Sequence, residues 1–258
     1  MSISFDGKVA FITGAASGIA RTAAIMFAGC GAFVSAVDIA DATETVKTIL
    51  DAGGTAESFR CDVTSESQVK NAIDSTVAAF GRIDIAFNCA GIGPDGVRIP
   101  FSLLTETSVD DWQRIIDVNL TGVFFCLKHE LIQMQKQGYG AIVNTSSTAG
   151  YRFPPTYHAY CPSKAGVVAL TELAANENAR AGIRVNCVTP GPTLGTQLSN
   201  NSRSAVKDED DVILNRVIPM GKYGQMEDVV KAVMWLSSDY AGHTTGQTLF
   251  VDGGMHAK

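Results

Sequence analysis

The chain has no surplus of positive charge: 20 Lys and Arg stand against 26 Asp and Glu, a formal net charge of −6. That balance removes the general attraction to phosphate backbones on which non-specific nucleic-acid binding depends. Charged residues are sparse, at 18%, while hydrophobic residues reach 46%. Disorder requires the opposite mix, so a folded protein is expected. No CxxC pair occurs among Cys30, Cys61, Cys89, Cys126, Cys161 and Cys187. A compact zinc knuckle or thioredoxin-type motif is thereby excluded, and scattered single thiols are expected to be reduced and buried, as in a cytoplasmic protein. His129, His158, His243 and His256 form no HExxH pair, and no metal site is expected. The most membrane-like stretch, Thr22 to Val37, is uncharged for 16 residues but contains Gly29 and Gly31. It falls short of the ~20 apolar residues a spanning helix needs. Met1 to Asp6 has neither a basic nor a long apolar region, so no secretory leader and no membrane partner are expected.

What is present is glycine, 25 of 258 residues, and an alternation of short apolar runs with helical spacing. Strands are predicted at Lys8–Ile12, Ala32–Val37, Thr55–Arg60, Ile83–Phe87, Ala141–Asn144, Ile183–Val188 and Thr248–Val251. Helices are predicted at Ser17–Gly29, from the Ser65–Gln68 capping-box pattern to Phe80, at Val109–Gln137, from beyond Pro154–Pro155 to about Arg180, and at Glu227–Ser237. Such alternation implies an α/β fold: one doubly wound domain of the Rossmann type over residues 1–258, with a seven-stranded, mostly parallel sheet and helices on both faces. Residues 191–224 break the pattern, being rich in Gly, Asn, Ser and Asp and including the acidic run Asp208–Asp211. A long irregular segment inside a compact domain reads as a functional lid or a partly disordered stretch, and the lid is the reading taken.

Thr13-Gly-Ala-Ala-Ser-Gly-Ile-Ala20 lies where the first strand hands over to a helix. Gly14 permits the tight turn, Gly18 allows backbone to approach a pyrophosphate, and Ala20 stands where a third small residue permits close packing. Ser17, Gly18 and Ile19 open a helix whose free N–H groups and positive end suit phosphates. Asp38 ends the second strand about 20 residues onward, where a carboxylate accepts hydrogen bonds from ribose hydroxyls and repels an extra phosphate. No Lys or Arg lies at 15–17 or directly after Asp38. The cofactor expected is therefore NAD rather than NADP.

Together with Asn88-Cys-Ala-Gly91, Ser147 and Tyr160-Cys-Pro-Ser-Lys164, this turn resembles the short-chain dehydrogenase/reductase family, over nearly the whole chain to Gly246–Gly254. The resemblance implies catalytic roles for Asn119, Ser147, Tyr160 and Lys164. Tyr160 is the general acid/base, Ser147 polarises the substrate oxygen, Lys164 also holds the nicotinamide ribose, and Asn119, in a distorted helix, positions a water. Tyr160 and Lys164, four apart, share a helix face. An ammonium at ~4 Å would bring a phenol from its ordinary value near 10 toward about 7, before desolvation opposes it. Ser146 is read as sheet packing. The resemblance further implies cofactor contacts at Asp62, Val63, Asn88, Ala90, Gly91, Pro190, Gly191, Thr193 and Thr196. The threonine register is one residue off the family's pattern, so either Thr193 or Thr196 supplies the hydroxyl.

The expected activity is hydride transfer between NAD and a secondary alcohol or ketone, with a small-molecule substrate and a homotetramer (or homodimer) as the assembly. An epimerase or dehydratase on the same fold, and a non-catalytic NAD-binding regulatory or scaffold protein, are the alternatives. Tyr151, Phe153, Tyr157, Leu194 and Leu198 suggest a partly apolar, cyclic substrate. Arg98 is read first as a solvated side chain and second as a contact for an anion.

Overall fold

The computed structural model describes residues 3–196 and 216–257. Seven strands, β1 (Val9–Thr13), β2 (Phe33–Asp38), β3 (Thr55–Arg60), β4 (Ile85–Asn88), β5 (Gly140–Thr145), β6 (Ile183–Pro190) and β7 (Thr248–Val251), form one sheet in the order β3-β2-β1-β4-β5-β6-β7. All six pairings are parallel, with Val9 opposite Phe33, Ala10 opposite Ile85 and Ala141 opposite Ile85 in register. The central strands β1 and β5 are buried along their full length. Their side chains face packed helices on both sides, which is why they read as continuous apolar runs rather than alternating ones.

The helices are α1 (Gly18–Gly29), α2 (Thr43–Asp51), α3 (Glu66–Phe80), α4 (Val109–Ile116), α5 (Gly122–Gln137), α6 (Tyr160–Asn178) and α7 (Met226–Ser237). One face of the sheet packs on α1, α2 and α7, around Phe27, Ile12, Phe87 and Val233; the other packs on α3, α5 and α6, around Phe11, Ile73, Met134 and Ile142.

Three local readings change. Helix α2 was not anticipated, because only Thr45 and Ile49 of it are buried and the apolar stripe is correspondingly thin. The helix expected over Val109–Gln137 is split by a π-helical segment, Asp117–Thr121, that joins α4 to α5. The extra residue per turn shifts the apolar phase, which a single period cannot reveal. Ser65 stands before α3 as expected but makes no side-chain cap. Gln68 Oε1 accepts instead from the Asp62 N–H at 3.0 Å, and Ser65 Oγ lies 3.2 Å from Ser67 Oγ. Of the lid, residues 197–215, with Leu198 and Asp208–Asp211, lie outside the described residues.

All six cysteines are unbridged; Cys61, Cys126, Cys161 and Cys187 are buried, whereas Cys30 and Cys89 are partly exposed. Among the described residues no helix is long and apolar enough to cross a membrane, and no group of three or more His, Cys, Asp or Glu is placed to hold a metal.

Candidate active site

In a parallel sheet the crevice opens where neighbouring strands lead their connections in opposite directions. Here that point lies between β1 and β4, and a cavity of about 2080 Å³ runs along the carboxyl ends of the strands. The Gly-rich turn forms one end. Gly14 has φ +81°, and a Cβ there would lie 3.1 Å from the backbone of Ala90. Only glycine lets the turn sit this close to the β4 segment. Gly14, Ser17, Gly18 and Ile19 all line the cavity, and α1 begins at Gly18. Ala20 is buried in the core cluster against the sheet.

Asp38 ties this turn to the end of β2. Its Oδ2 accepts from the Ala16 N–H and its Oδ1 from the Ala40 N–H, both at 2.9 Å. Helix α2 adds a third restraint, for the Thr45 hydroxyl donates to the Ala15 carbonyl at 2.9 Å. The turn that approaches the cavity is thus fixed by β2, α2 and its own glycines. The cradle fits a dinucleotide: backbone N–H groups at a helix start, small residues where backbone must come close, and a carboxylate at the strand end.

Asp62 and Val63 line the same end. Asp62 Oδ1 accepts from the backbone N–H and the hydroxyl of Thr64, at 2.9 and 2.8 Å. This is a local turn and not a cap on α3, which begins at Glu66. Ala90 and Gly91 line the cavity, their segment held by the Thr13 hydroxyl, which accepts from the N–H groups of Cys89 (3.1 Å) and Ala90 (3.3 Å). Asn88 lies one layer deeper. It does not line the cavity; it is buried, and its Nδ2 donates to Glu130 Oε2 and Asn144 Oδ1, both at 3.0 Å. Its amide joins β4 to β5 and α5 beneath the site.

At the other end, Tyr160 opens α6 and Lys164 follows one turn later; both line the cavity. Ser147 follows β5, its Oγ accepting from the Ala149 N–H at 3.2 Å, and it lines the cavity with Tyr160. Lys164 Nζ donates to the Thr145 carbonyl at 2.9 Å and stands 5.8 Å from the centre of the Tyr160 ring. Ser146 Oγ donates to the Lys164 carbonyl at 2.8 Å, pinning α6 to the end of β5. Asn119 lies in the π segment, fully buried, and is not among the residues that line the cavity. Its Oδ1 accepts from the Ile92 N–H and its Nδ2 donates to the Ile92 carbonyl, both at 2.8 Å, with Ser163 Oγ at 3.1 Å. A Cβ on Gly91 would crowd both Asn119 Oδ1 (3.3 Å) and Lys164 Nζ (3.4 Å), so glycine keeps that corner open.

The charge balance departs from expectation. Burial pushes the Tyr160 phenol up to about 12, with the Ser147 hydrogen bond acting in the opposite direction. Burial likewise lowers Lys164 below its ordinary range, while Cys89 and Cys187 raise it. Desolvation of the phenolate therefore outweighs the help expected from the neighbouring ammonium.

Pro190, Gly191, Thr193 and Thr196 line the cavity beyond β6. A Cβ on Gly191 would lie 2.8 Å from Asp252 Cα, so the chain passes here only as glycine. The Thr193 hydroxyl donates to the Gly191 carbonyl (3.0 Å) and that of Thr196 to the Thr193 carbonyl (3.2 Å). Of the expected substrate residues, Phe153 and Tyr157 line the cavity. Tyr151 does not; its hydroxyl donates to Thr248 Oγ1 at 3.1 Å and its ring packs edge-on to Phe250. Leu194 does not line it either. Arg98 does, with its Nε on Asp95 Oδ2 at 2.9 Å. Burial works against the Asp95 carboxylate, yet the N–H groups of Ile99, Val97 and Arg98 and the Arg98 side chain hold it well below the usual range. Sequence reasoning passed over Cys89, Phe101, Tyr223 and Met255, which also line the cavity. They belong to loops, where no periodicity signals direction.

A family model described as Enoyl-(Acyl carrier protein) reductase matches residues 14–256. The chain is 40% identical to a secoisolariciresinol dehydrogenase of Forsythia intermedia over 256 residues, covering 97% of this chain and 89% of that protein. It is 37% identical to a 2,5-dichloro-2,5-cyclohexadiene-1,4-diol dehydrogenase of Sphingobium indicum, over 98% of each chain. Among solved structures, a levodione reductase superposes with a TM-score of 0.91 at 29% identity, over 98% of this chain and 99% of that one. A putative 2-deoxy-d-gluconate 3-dehydrogenase from Agrobacterium tumefaciens with bound NADP gives 0.88 at 32% identity, over 99% of each.

Proposed function

Because the chain belongs to the short-chain dehydrogenase/reductase family and is an oxidoreductase acting on CH–OH groups, we propose that it interconverts a secondary alcohol and a ketone with NAD, Tyr160 carrying the proton. The observation that carries this reading is that Ser147, Tyr160 and Lys164 line one cavity where it meets the strand ends, with Lys164 Nζ 5.8 Å from the centre of the Tyr160 ring. Bound nicotinamide dinucleotide supplies or accepts the hydride. Ser147 and Tyr160 together hold the substrate oxygen, so that proton transfer and charge stabilisation act at one atom. Lys164, fixed by the Thr145 carbonyl, presents a cation beside the phenol, and Asn119 fixes the Ile92 backbone next to it. The preference for NAD rests on the Asp38 carboxylate at the ribose end and on the lack of Lys or Arg at 15–17 and 39–40.

The substrate end is walled by Phe101, Phe153 and Tyr157, which favours a ring-bearing alcohol. The cyclohexadiene diol in one relative's name agrees with that choice. The chain is read as a single catalytic domain. Free thiols favour a cytoplasmic protein. Phe124 and Ile132 on α5 and Leu173 on α6 are exposed apolar residues on the helices expected to join subunits of a homotetramer.

A spectrophotometric screen for NADH formation over secondary alcohols, cyclic diols, sugars and steroids, with NADP as control, tests the reading. Turnover with NAD is expected, and Tyr160→Phe is expected to lower it by about 10²–10⁴-fold. Wild-type rates in that variant would overturn the mechanism. Light scattering is expected to give four chains per particle; a stable monomer would remove the assembly.

A further inference from the structure

We infer that His158 is a positioning residue: its ring holds the Pro100 carbonyl, and with it the aromatic wall of the substrate end, against the segment that carries Tyr160. The inference rests on the reading that Tyr160 acts on an alcohol in this cavity.

His158 is buried two residues before Tyr160, and its Nε2 lies 3.2 Å from the Pro100 carbonyl oxygen. A carbonyl only accepts, so Nε2 carries the hydrogen. In the neutral ring Nδ1 is then a bare acceptor. That atom is buried and has no partner. Burying an unpaired polar atom is unfavourable, and an apolar side chain at this place would avoid it. The gain that accounts for a histidine here is the bond to Pro100.

Next to that bond, Ser102 and Tyr157 form an isolated parallel bridge. The Phe101 and Tyr157 rings lie 5.5 Å apart, and Tyr157 meets Tyr160 edge-on at 6.0 Å. All three rings line the cavity. Thr156, at φ +72°, is the one non-glycine residue with positive φ among the described residues. A strained conformation of this kind persists only where its surroundings enforce it. The loop before Pro100 is wound on Asp95, whose Oδ1 accepts from Val97, Arg98 and Ile99 at 3.0, 2.7 and 3.1 Å. A preformed loop is thus fastened to the start of α6 by His158 and the Ser102–Tyr157 bridge, and the fastening sets where Phe101 and Tyr157 stand beside the phenol. A ring alcohol depends on that wall for its orientation; a small acyclic alcohol does not.

The test uses His158→Leu and His158→Gln in the full-length protein, with cyclohexanol and 2-propanol as probes and NAD as cofactor. Leucine removes the donor, whereas glutamine carries an N–H at the same bond count from Cα. His158→Leu is expected to raise KM for cyclohexanol roughly three- to tenfold, the worth of one intramolecular hydrogen bond. KM for NAD, KM for 2-propanol and kcat are expected to stay near wild type, and His158→Gln to restore most of the loss. A leucine variant equal to wild type, a parallel loss in all constants, or failure of glutamine to restore binding would each overturn the role. Ring ¹⁵N NMR of His158, which needs no substrate, is expected to show Nε2 protonated and Nδ1 bare; the reverse tautomer would overturn it. If the wild type oxidises neither alcohol, the proposed activity fails on that count, and the NMR result still decides the hydrogen bond.

Discussion

Tyr160 and Lys164 are both buried, and burial drives their pKa values apart: the phenol up to about 12, the ammonium downward. Oxidation of an alcohol needs the phenol to have given up its proton, whereas ketone reduction needs the proton in place. With the phenol displaced upward, each step in pH enlarges the reactive fraction for oxidation. Alcohol oxidation is expected to climb through the neutral and alkaline range while ketone reduction stays level until pH nears the phenol's own value, as pH profiles in both directions would show. At the ribose end, Asp38 accepts two backbone N–H groups, one from the Gly-rich turn and one from Ala40. Asp38→Asn keeps the shape and removes the negative charge. The ratio of NAD to NADP affinity is expected to fall by about tenfold, equivalent to 1.4 kcal/mol, in fluorescence titrations. These residues were legible because their chemistry requires fixed spacings: four residues for Tyr160 and Lys164, about twenty from glycine turn to acid. His158 and Cys89 were not, since a side chain's direction from a loop or a helix start leaves no periodic trace.

Helix α5 brings a carboxyl group into the core beneath the strand ends. Glu130 is fully buried, and burial raises it to about 8, the Asn88 hydrogen bond opposing. Glu130 Oε1 and Asn88 Oδ1 are both buried acceptors without a partner, a mismatch that a proton on the carboxyl can relieve. Because the folded value lies above the ordinary 4.5, the native state binds more protons than the unfolded chain between the two. Stability should therefore be greatest below about 4.5 as far as this group is concerned, fall as pH rises through the window, and level off above 8. Glu130→Gln, which brings a permanent donor and no charge, is expected to raise the melting temperature on the alkaline side and flatten this dependence. Thermal melts of both proteins across that window are the check. None of this was legible, for Glu130 reads as one polar position on an amphipathic helix, and its network partners are distant in sequence. The same limit hid α2, whose Thr45 anchors the Gly-rich turn although its sequence shows little apolar face.

Over the whole molecule, the order of elements was readable because a doubly wound parallel sheet repeats one unit, a buried apolar strand followed by a helix with one apolar face. All seven strands appear where those runs lie, within a few residues. What the pattern did not convey was the fastening between units. Asn119 uses its side-chain amide to pair with both polar groups of the Ile92 backbone, while His158 takes the Pro100 carbonyl. The chain between these two points is thereby a span with a fixed abutment at each end, one on the π segment and one at the start of α6. A span of that kind can take new side chains at the exposed Val97 and Arg98, with Asp95 and the buried Ile99 kept, without moving either support. Divergence in substrate choice can accumulate there while the cradle and the Tyr160–Lys164 pair stay in place, and a designer wanting a different alcohol has a replaceable part of known length.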